Sequence, residues 1–287
     1  MMEAAWSRHE RRWKNNRYVY AVVSRRSRGV SIGINLNPGK TCNFNCIYCQ
    51  VNRHLPATVR KVDLERLTDE LDCILQAEKG GGLYENAPFN VLKTSERGVR
   101  DIALSGDGEP TAFARFEAAV RIAARARSRF GLNPAKLILF TNASFLHRPA
   151  VRAALKVLDR NNGEIWAKLD AGTEEYFRLV NRPGVPFRRI LANILDVSRV
   201  RPLVIQSLWF RIYGIVPPAA EIEAYCERLN RMILAGGIFK ALQLYTIARN
   251  PAEVSSSPLS DEDLDRIASI VASRVPVPVE IFHTNTR

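Results

Sequence analysis

Apolar positions in the 287-residue chain alternate between two spacings, short continuous runs and three-to-four-residue steps, in regular succession. Runs rich in β-branched and aromatic residues predict strands at 18–24 (YVYAVVS), 30–35 (VSIGIN), 101–105 (DIALS), 136–140 (KLILF), 164–169 (EIWAKL), 203–211 (LVIQSLWFR), 241–246 (ALQLYT) and 277–282 (VPVEIF). The helical spacing is clearest over 63–79. There Leu64, Leu67, Leu71, Ile74 and Leu75 share a face, Asp63 is placed to cap the N-terminus, and the glycine run 80–82 stops the helix. Further helices are predicted at 113–130, 149–158, 187–200 and 219–234, and a last one opens at Ser260 with Asp261, Glu262 and Asp263 at its positive end. Residues 83–100 have weak periodicity and read as an insertion, a lid or a surface loop, and 182–186 read as a loop. Strands near 30, 102, 136, 164, 203 and 241 are each followed by a helix or a long crossover. Right-handed βα units of this kind predict an α/β fold, a partial (β/α)6 TIM-like barrel with a small N-terminal β arm over 18–24. The corresponding domain division is a basic extension over 1–28 and a partial-barrel domain over 29–287.

Composition adds that 46% of residues are hydrophobic, enough for a full core. No apolar run reaches the length of a membrane span, and residues 1–17 are charged where a secretory signal needs an apolar stretch, so a cytoplasmic protein without membrane contact is expected. The net charge of +13 is unevenly placed: residues 1–61 hold 12 Lys and Arg against Glu3 and Glu10, while the rest hold 30 against 27 acids. In the leader, Arg8, Arg11, Arg12, Lys14, Arg17, Arg25, Arg26 and Arg28 are interleaved with Trp6, Trp13, Tyr18 and Tyr20. That pattern suits RNA or another anionic substrate, and it equally suits a solvated face.

The chemistry concentrates in the segment 41–50, where Cys42, Cys46 and Cys49 stand within eight residues. Crowded thiolates repel one another and oxidise, so such a loop calls for a metal. Three sulfurs leave a tetrahedral zinc site one ligand short, unless a residue such as His54 completes it, whereas a cubane held by three cysteines leaves one iron open. Three unligated core thiols are the remaining alternative. Cys73 and Cys226 are far apart, without metal-ligand spacing; Cys226 falls on an apolar helix face and Cys73 away from one.

The Cys-x3-Cys-x2-Cys spacing, with Tyr48 just before the last cysteine, resembles the cluster loop of the radical S-adenosylmethionine (SAM) superfamily. One βα unit later, Gly106-Asp107-Gly108-Glu109-Pro110-Thr111 resembles that superfamily's glycine-glutamate loop, with Asp107 departing from the doubled glycine. The Gly-Glu-Pro-Thr form is similar to that in the branch containing wyosine-type tRNA-modifying enzymes. Taken by itself, such a loop is an ordinary turn with a surface carboxylate. The resemblance implies a 4Fe-4S cluster on Cys42, Cys46 and Cys49, with Tyr48 among the residues around the cofactor. It implies that Gly106, Gly108 and Glu109 receive the methionine ammonium group. Asn142 resembles the family's Thr-Asn-Gly position. Period-two alternation puts Trp166, Lys168 and Asp170 on one side, where Lys168 and Asp170 either reach the cofactor carboxylate and ribose or enter a cross-strand salt pair. Gln206, Gln243 and Tyr245 are candidates to lie near ribose and adenine. The implied reaction is reductive cleavage of SAM to a 5'-deoxyadenosyl radical, with flavodoxin or ferredoxin as electron donor. Wyosine synthases carry three further cysteines for a second cluster, which Cys73 and Cys226 do not supply, so an orphan enzyme acting on an RNA base, a nucleotide or a small metabolite is the expectation. The rival is a non-catalytic metal- or cluster-bearing nucleic-acid-binding module.

Overall fold

Every residue of β2 (Gly29–Ile34) is buried, as a strand covered on both faces requires. In the computed structural model, which describes residues 13–57 and 59–284, β1 (Val19–Ser24) pairs antiparallel with β2, and β3 (Val99–Leu104) and β4 (Lys136–Thr141) follow in parallel. The basic residues up to Arg12, with Trp6, lie outside the described residues. The chain divides into two compact units, one of residues up to 42, 55–140 and 148–165, the other of 43–54, 141–147 and the remainder from 166.

In the first unit, helix α1 (Leu64–Lys79) forms for the reasons its sequence states. The Asp63 carboxylate accepts from Glu65 N at 2.9 Å and Arg66 N at 3.2 Å, Gly80 N closes the last turn on Gln76 O, and Leu67, Leu71, Ile74 and Leu75 are buried. Cutting one of these leucines to alanine removes about 2–5 kcal/mol. The β arm is tied to this helix by Glu70, whose buried carboxylate accepts from the backbone N–H groups of Arg17, Tyr18 and Val19 at 2.8, 2.8 and 3.2 Å and from Arg66 Nε at 2.8 Å. Three short 3-10 turns, at Gly82–Glu85, Phe89–Val91 and Thr94–Glu96, fill the stretch without periodicity. Helices α2 (Phe116–Arg129) and α3 (Pro149–Asp159) complete the unit.

Strand β5 (Gly163–Lys168) leads into the second unit, where β6 (Leu203–Leu208), β8 (Phe239–Tyr245) and β10 (Val279–Phe282) are parallel, with Lys168 opposite Gln206, Gln206 opposite Gln243, and Gln243 opposite Glu280. Its helices are α4 (Glu174–Asn181), α5 (Phe187–Ser198), α6 (Ala219–Leu234) and α7 (Asp261–Arg274), the last capped by Ser260 as expected. The predicted strand 203–211 is two strands. It breaks at Trp209, which is 1% exposed and packs edge-to-face on Tyr225, and the chain then enters β7 (Phe210–Ile212), antiparallel to β9 (Ser256–Pro258). Arg211 consequently pairs with Asp263 at 2.5 Å, away from the parallel strands. Helix α4 has no counterpart among the predicted elements.

The strand order β1-β2-β3-β4-β5-β6-β8-β10 makes the fold α/β and of the partial TIM-like type, with six strand–helix units from β2 to β8 and the antiparallel β1 as the arm. No helix among the described residues is long and apolar enough to cross a membrane.

Candidate functional site

In the first unit, the loops that follow β2 and β3 are stitched together by Asn35. Its Oδ1 accepts from Asn37 N at 2.9 Å and Asp107 N at 3.1 Å, and its Nδ2 donates to Asp107 Oδ2 at 2.7 Å. The glycines between are required by that approach: a Cβ on Gly106 would stand 2.3 Å from the Asn35 side chain, and one on Gly108 would stand 2.0 Å from Thr41 O. They make room for the chain leading to Cys42, which is partly buried in this unit. Glu109 is 3% exposed and caps the turn Pro110–Ala112, its Oε1 accepting from Thr111 N at 3.1 Å and from the Thr111 hydroxyl. The surface-carboxylate alternative therefore does not hold. Burial of a carboxylate demands partners, and this one is held by its own turn.

In the second unit, the loop carrying Cys46, Tyr48 and Cys49 is seated on the end of α4. A helix leaves its last carbonyls without intrahelical partners, and here they accept from the loop: Ile47 N donates to Val180 O at 3.0 Å and Asn45 N to Asn181 O at 3.2 Å. Arg182 then takes a left-handed conformation (φ 40°), and the chain runs back along the loop, with Gly184 N donating to Asn43 O at 2.9 Å. From the other side, Ser256 Oγ donates to Ile47 O and Ala252 N to Cys49 O. Beneath lie Ile47, Val180, Leu208, Phe210 and Ile247, with Tyr48 packed against them.

Polar side chains converge on Asp170, which is 3% exposed. It accepts from Tyr48 OH at 2.5 Å, Leu208 N at 2.9 Å and Asn181 Nδ2 at 3.2 Å, and pairs with Lys168 Nζ at 2.9 Å; Lys168 also donates to Tyr245 OH at 2.5 Å. Lys168 and Asp170 thus share a side, as alternation predicts, and they pair with one another. Gln206 is a buried rung in a cross-strand ladder, donating to Gln243 Oε1 at 2.7 Å, while Gln243 Nε2 donates to Glu280 at 2.9 Å. Asn142, just beyond β4, donates to Asn43 Oδ1 at 3.0 Å on the cysteine loop and accepts from Ser144. Sequence reading missed Asn181, although Thr173 followed by Glu174 and Glu175 is a helix-start signal that would have placed α4.

Burial pushes the Cys46 thiol up to about 12, against the pull of the Asn181 N–H group. Burial and then the Asp170 charge hold the Tyr48 phenol well above its usual range, which keeps it a donor. Burial works to lower the Lys168 ammonium, but Asp170 and Tyr245 outweigh it and hold it raised.

Among the described residues no three Cys, His, Asp or Glu side chains close on a common metal point, and His54, the residue offered to complete a zinc site, is exposed. The donor chemistry nevertheless suits an iron-sulfur cluster. N–H groups approach two of the sulfurs, Asn181 Nδ2 at 3.4 Å from Cys46 Sγ and Arg53 Nη2 at 3.6 Å from Cys49 Sγ, which favours sulfur bearing negative charge. Buried polar atoms without hydrogen-bond partners among the described residues, Asn37 Oδ1 in the first unit and Asn43 Nδ2 and Asn181 Oδ1 in the second, flank the cysteines in sequence or in space.

Comparison with known proteins accords with this chemistry. A UPF0026 protein of Helicobacter pylori is 25% identical over 253 residues, covering 88% of this chain and 72% of the relative. A Brachyspira hyodysenteriae protein named GTPase Obg is 22% identical over 93% of this chain, which spans only 35% of that relative's length. Among solved structures, a radical SAM methyltransferase from Sphaerobacter thermophilus superposes with a TM-score of 0.64 at 15% identity, covering 92% of this chain and 69% of its own. Streptococcus suis SuiB bound to S-adenosylmethionine gives 0.54 at 12% identity, covering 86% and 46%. TYW1 with a lysine-pyruvate adduct bound gives 0.51 at 15%, covering 87% and 74%. At such identities these likenesses establish the fold. Residues 36–216, most of the chain and all of its cysteine loop, match the family model of the radical SAM superfamily, and the protein belongs to that superfamily, whose members use a 4Fe-4S cluster and S-adenosylmethionine.

Proposed function

We propose that this protein holds a 4Fe-4S cluster on Cys42, Cys46 and Cys49, cleaves SAM reductively, and directs the resulting radical at a substrate C–H bond. The observation carrying this reading is the cysteine loop itself: its spacing lies inside the matched span, and N–H donors stand at two of its three sulfurs. When bound, the cluster supplies one electron to the sulfonium of SAM, releasing methionine and a 5'-deoxyadenosyl radical. The protein's part is to bind, orient and exclude water. Gly106, Gly108 and Glu109 are assigned to the methionine ammonium group, and the burial of Glu109 in its own turn supports a fixed carboxylate there. Asn142 steadies the loop through Asn43. Lys168 and Asp170 are assigned to the carboxylate and ribose; their mutual ion pair supports a preformed arrangement that a ligand adjusts. Tyr48, pinned by Asp170, closes the loop beside Cys49. Gln206 is assigned to the adenosine end. A flavodoxin or ferredoxin supplies the electron.

Anaerobic reconstitution with iron and sulfide tests the reading. About four irons per chain, a visible charge-transfer band and release of 5'-deoxyadenosine on reduction with SAM are expected, and Cys42→Ala, Cys46→Ala and Cys49→Ala each abolish all three. Tight zinc binding with neither cluster nor deoxyadenosine would favour the non-catalytic binding module.

A further inference from the structure

Asn181 ends α4 and is 2% exposed, and the reaction as described gives its side chain no task. Its Nδ2 stands 3.4 Å from Cys46 Sγ, 3.4 Å from Tyr48 OH and 3.2 Å from Asp170 Oδ2, while its Oδ1 is buried with no hydrogen-bond partner among the described residues. The orientation follows from the neighbours: turning the amide over would set its oxygen against a carboxylate and a sulfur, both acceptors. The position is equally constrained. Asn45 N and Ile47 N hold the carbonyls of Asn181 and Val180, so the backbone that carries the amide is bonded to the backbone that carries Cys46. A buried side chain that leaves its own oxygen unpaired while aiming N–H at sulfur and carboxylate carries the cost of an unmet hydrogen bond. Such a cost is offset when the sulfur is charged, since N–H donors bind a charged acceptor about twice as strongly as a neutral one.

We propose that Asn181 is a positioning residue for the cluster: its amide N–H stabilises the charge on the Cys46 sulfur and couples that ligand to Asp170, raising the cluster's reduction potential. This rests on the reading of Cys46 as a cluster ligand. The direction follows from charge. Reduction adds an electron to a centre whose sulfurs share it, so a donor at one of them favours the reduced form, and removing the donor makes reduction harder.

The experiment compares the reconstituted full chain with Asn181→Leu, which loses the donor, and Asn181→Gln, which keeps an amide. Readouts are iron content, midpoint potential by EPR-monitored titration, iron–cysteine stretching bands in resonance Raman spectra, and thermal unfolding. The leucine protein is expected to keep its iron, shift to lower potential and shift the stretching bands, with the glutamine protein recovering part of both. Loss of iron in the leucine protein alone, at an unfolding temperature shared with the glutamine protein, also supports the assignment. A leucine protein with native potential and bands overturns it, as do equal losses of iron or equal potential shifts in both variants, which would mark packing alone. If the leucine protein does not fold, Asn181→Ala takes its place under the same criteria. A native chain that takes up no cluster overturns the underlying reading and this inference with it, so the two failures are told apart.

Discussion

Asp101 is a carboxylate 1% exposed in β3, accepting from Ser31 Oγ at 2.5 Å. Burial lifts it from 3.8 to about 6, against the hydrogen bonds of Ser27 and Ser31 and the nearby Lys136. The folded protein therefore holds this proton more tightly than the unfolded chain. Its contribution is fully present below pH 3.8 and is lost as pH rises through 6, a change of about 3 kcal/mol at most. Asp101→Asn should flatten the stability profile between pH 4 and 7 and stabilise the protein at neutral pH, measured as urea midpoints across that window; an unchanged slope would place the pH dependence elsewhere. Gly108 is the second residue on which much turns. Gly108→Ala drives a methyl group into Thr41 O, so a loss of about 1–3 kcal/mol and weaker iron uptake are expected, checked by denaturant titration and iron assay. The need for glycine there was visible in sequence; its reason, an approaching backbone, was not.

Among the elements, β1 depends on one carboxylate from α1. Glu70→Ala strips partners from three backbone N–H groups and from Arg66, and a loss of about 3 kcal/mol or more is expected. Glu70→Gln should lose less, because its amide oxygen still accepts. Unfolding midpoints and the rate of proteolytic cleavage within 13–24 measure this; native-like resistance in the alanine protein would mean that pairing with β2 alone holds the arm. Helix α1 was legible to the residue because its cap, face and stop are all local. Helix α4, at eight residues, was not read, although Thr173 Oγ1 accepts from Tyr176 N as a cap. Its anchor is distant in sequence: Glu221 of α6 accepts from Gly172 N at 2.5 Å and from the Thr173 hydroxyl at 2.6 Å. Glu221→Ala should loosen this loop and weaken iron retention more than Glu70→Ala does, although both lose buried hydrogen bonds.

For the molecule as a whole, charge asymmetry is the property that bears on partners. If the basic leader contacts phosphates, single-stranded RNA should bind with an affinity that falls with salt, and removing residues 2–12 should lessen the salt dependence. Binding insensitive to both would assign the charge to solvation. Most strand positions, most helix faces and the cysteine spacing could be read from the chain because each is written in neighbouring residues, through periodicity and turn chemistry. Sequence alone thus determined the α/β alternation and the three-thiol loop from which superfamily membership was expected. The partners within the site were decided by tertiary structure. Lys168 meets Tyr245 across 77 residues, Cys46 meets Asn181 across 135, and Gln206 is taken up by Gln243 through strand register. No local pattern encodes which side chains meet over such separations; packing and register bring them together only once the fold is complete.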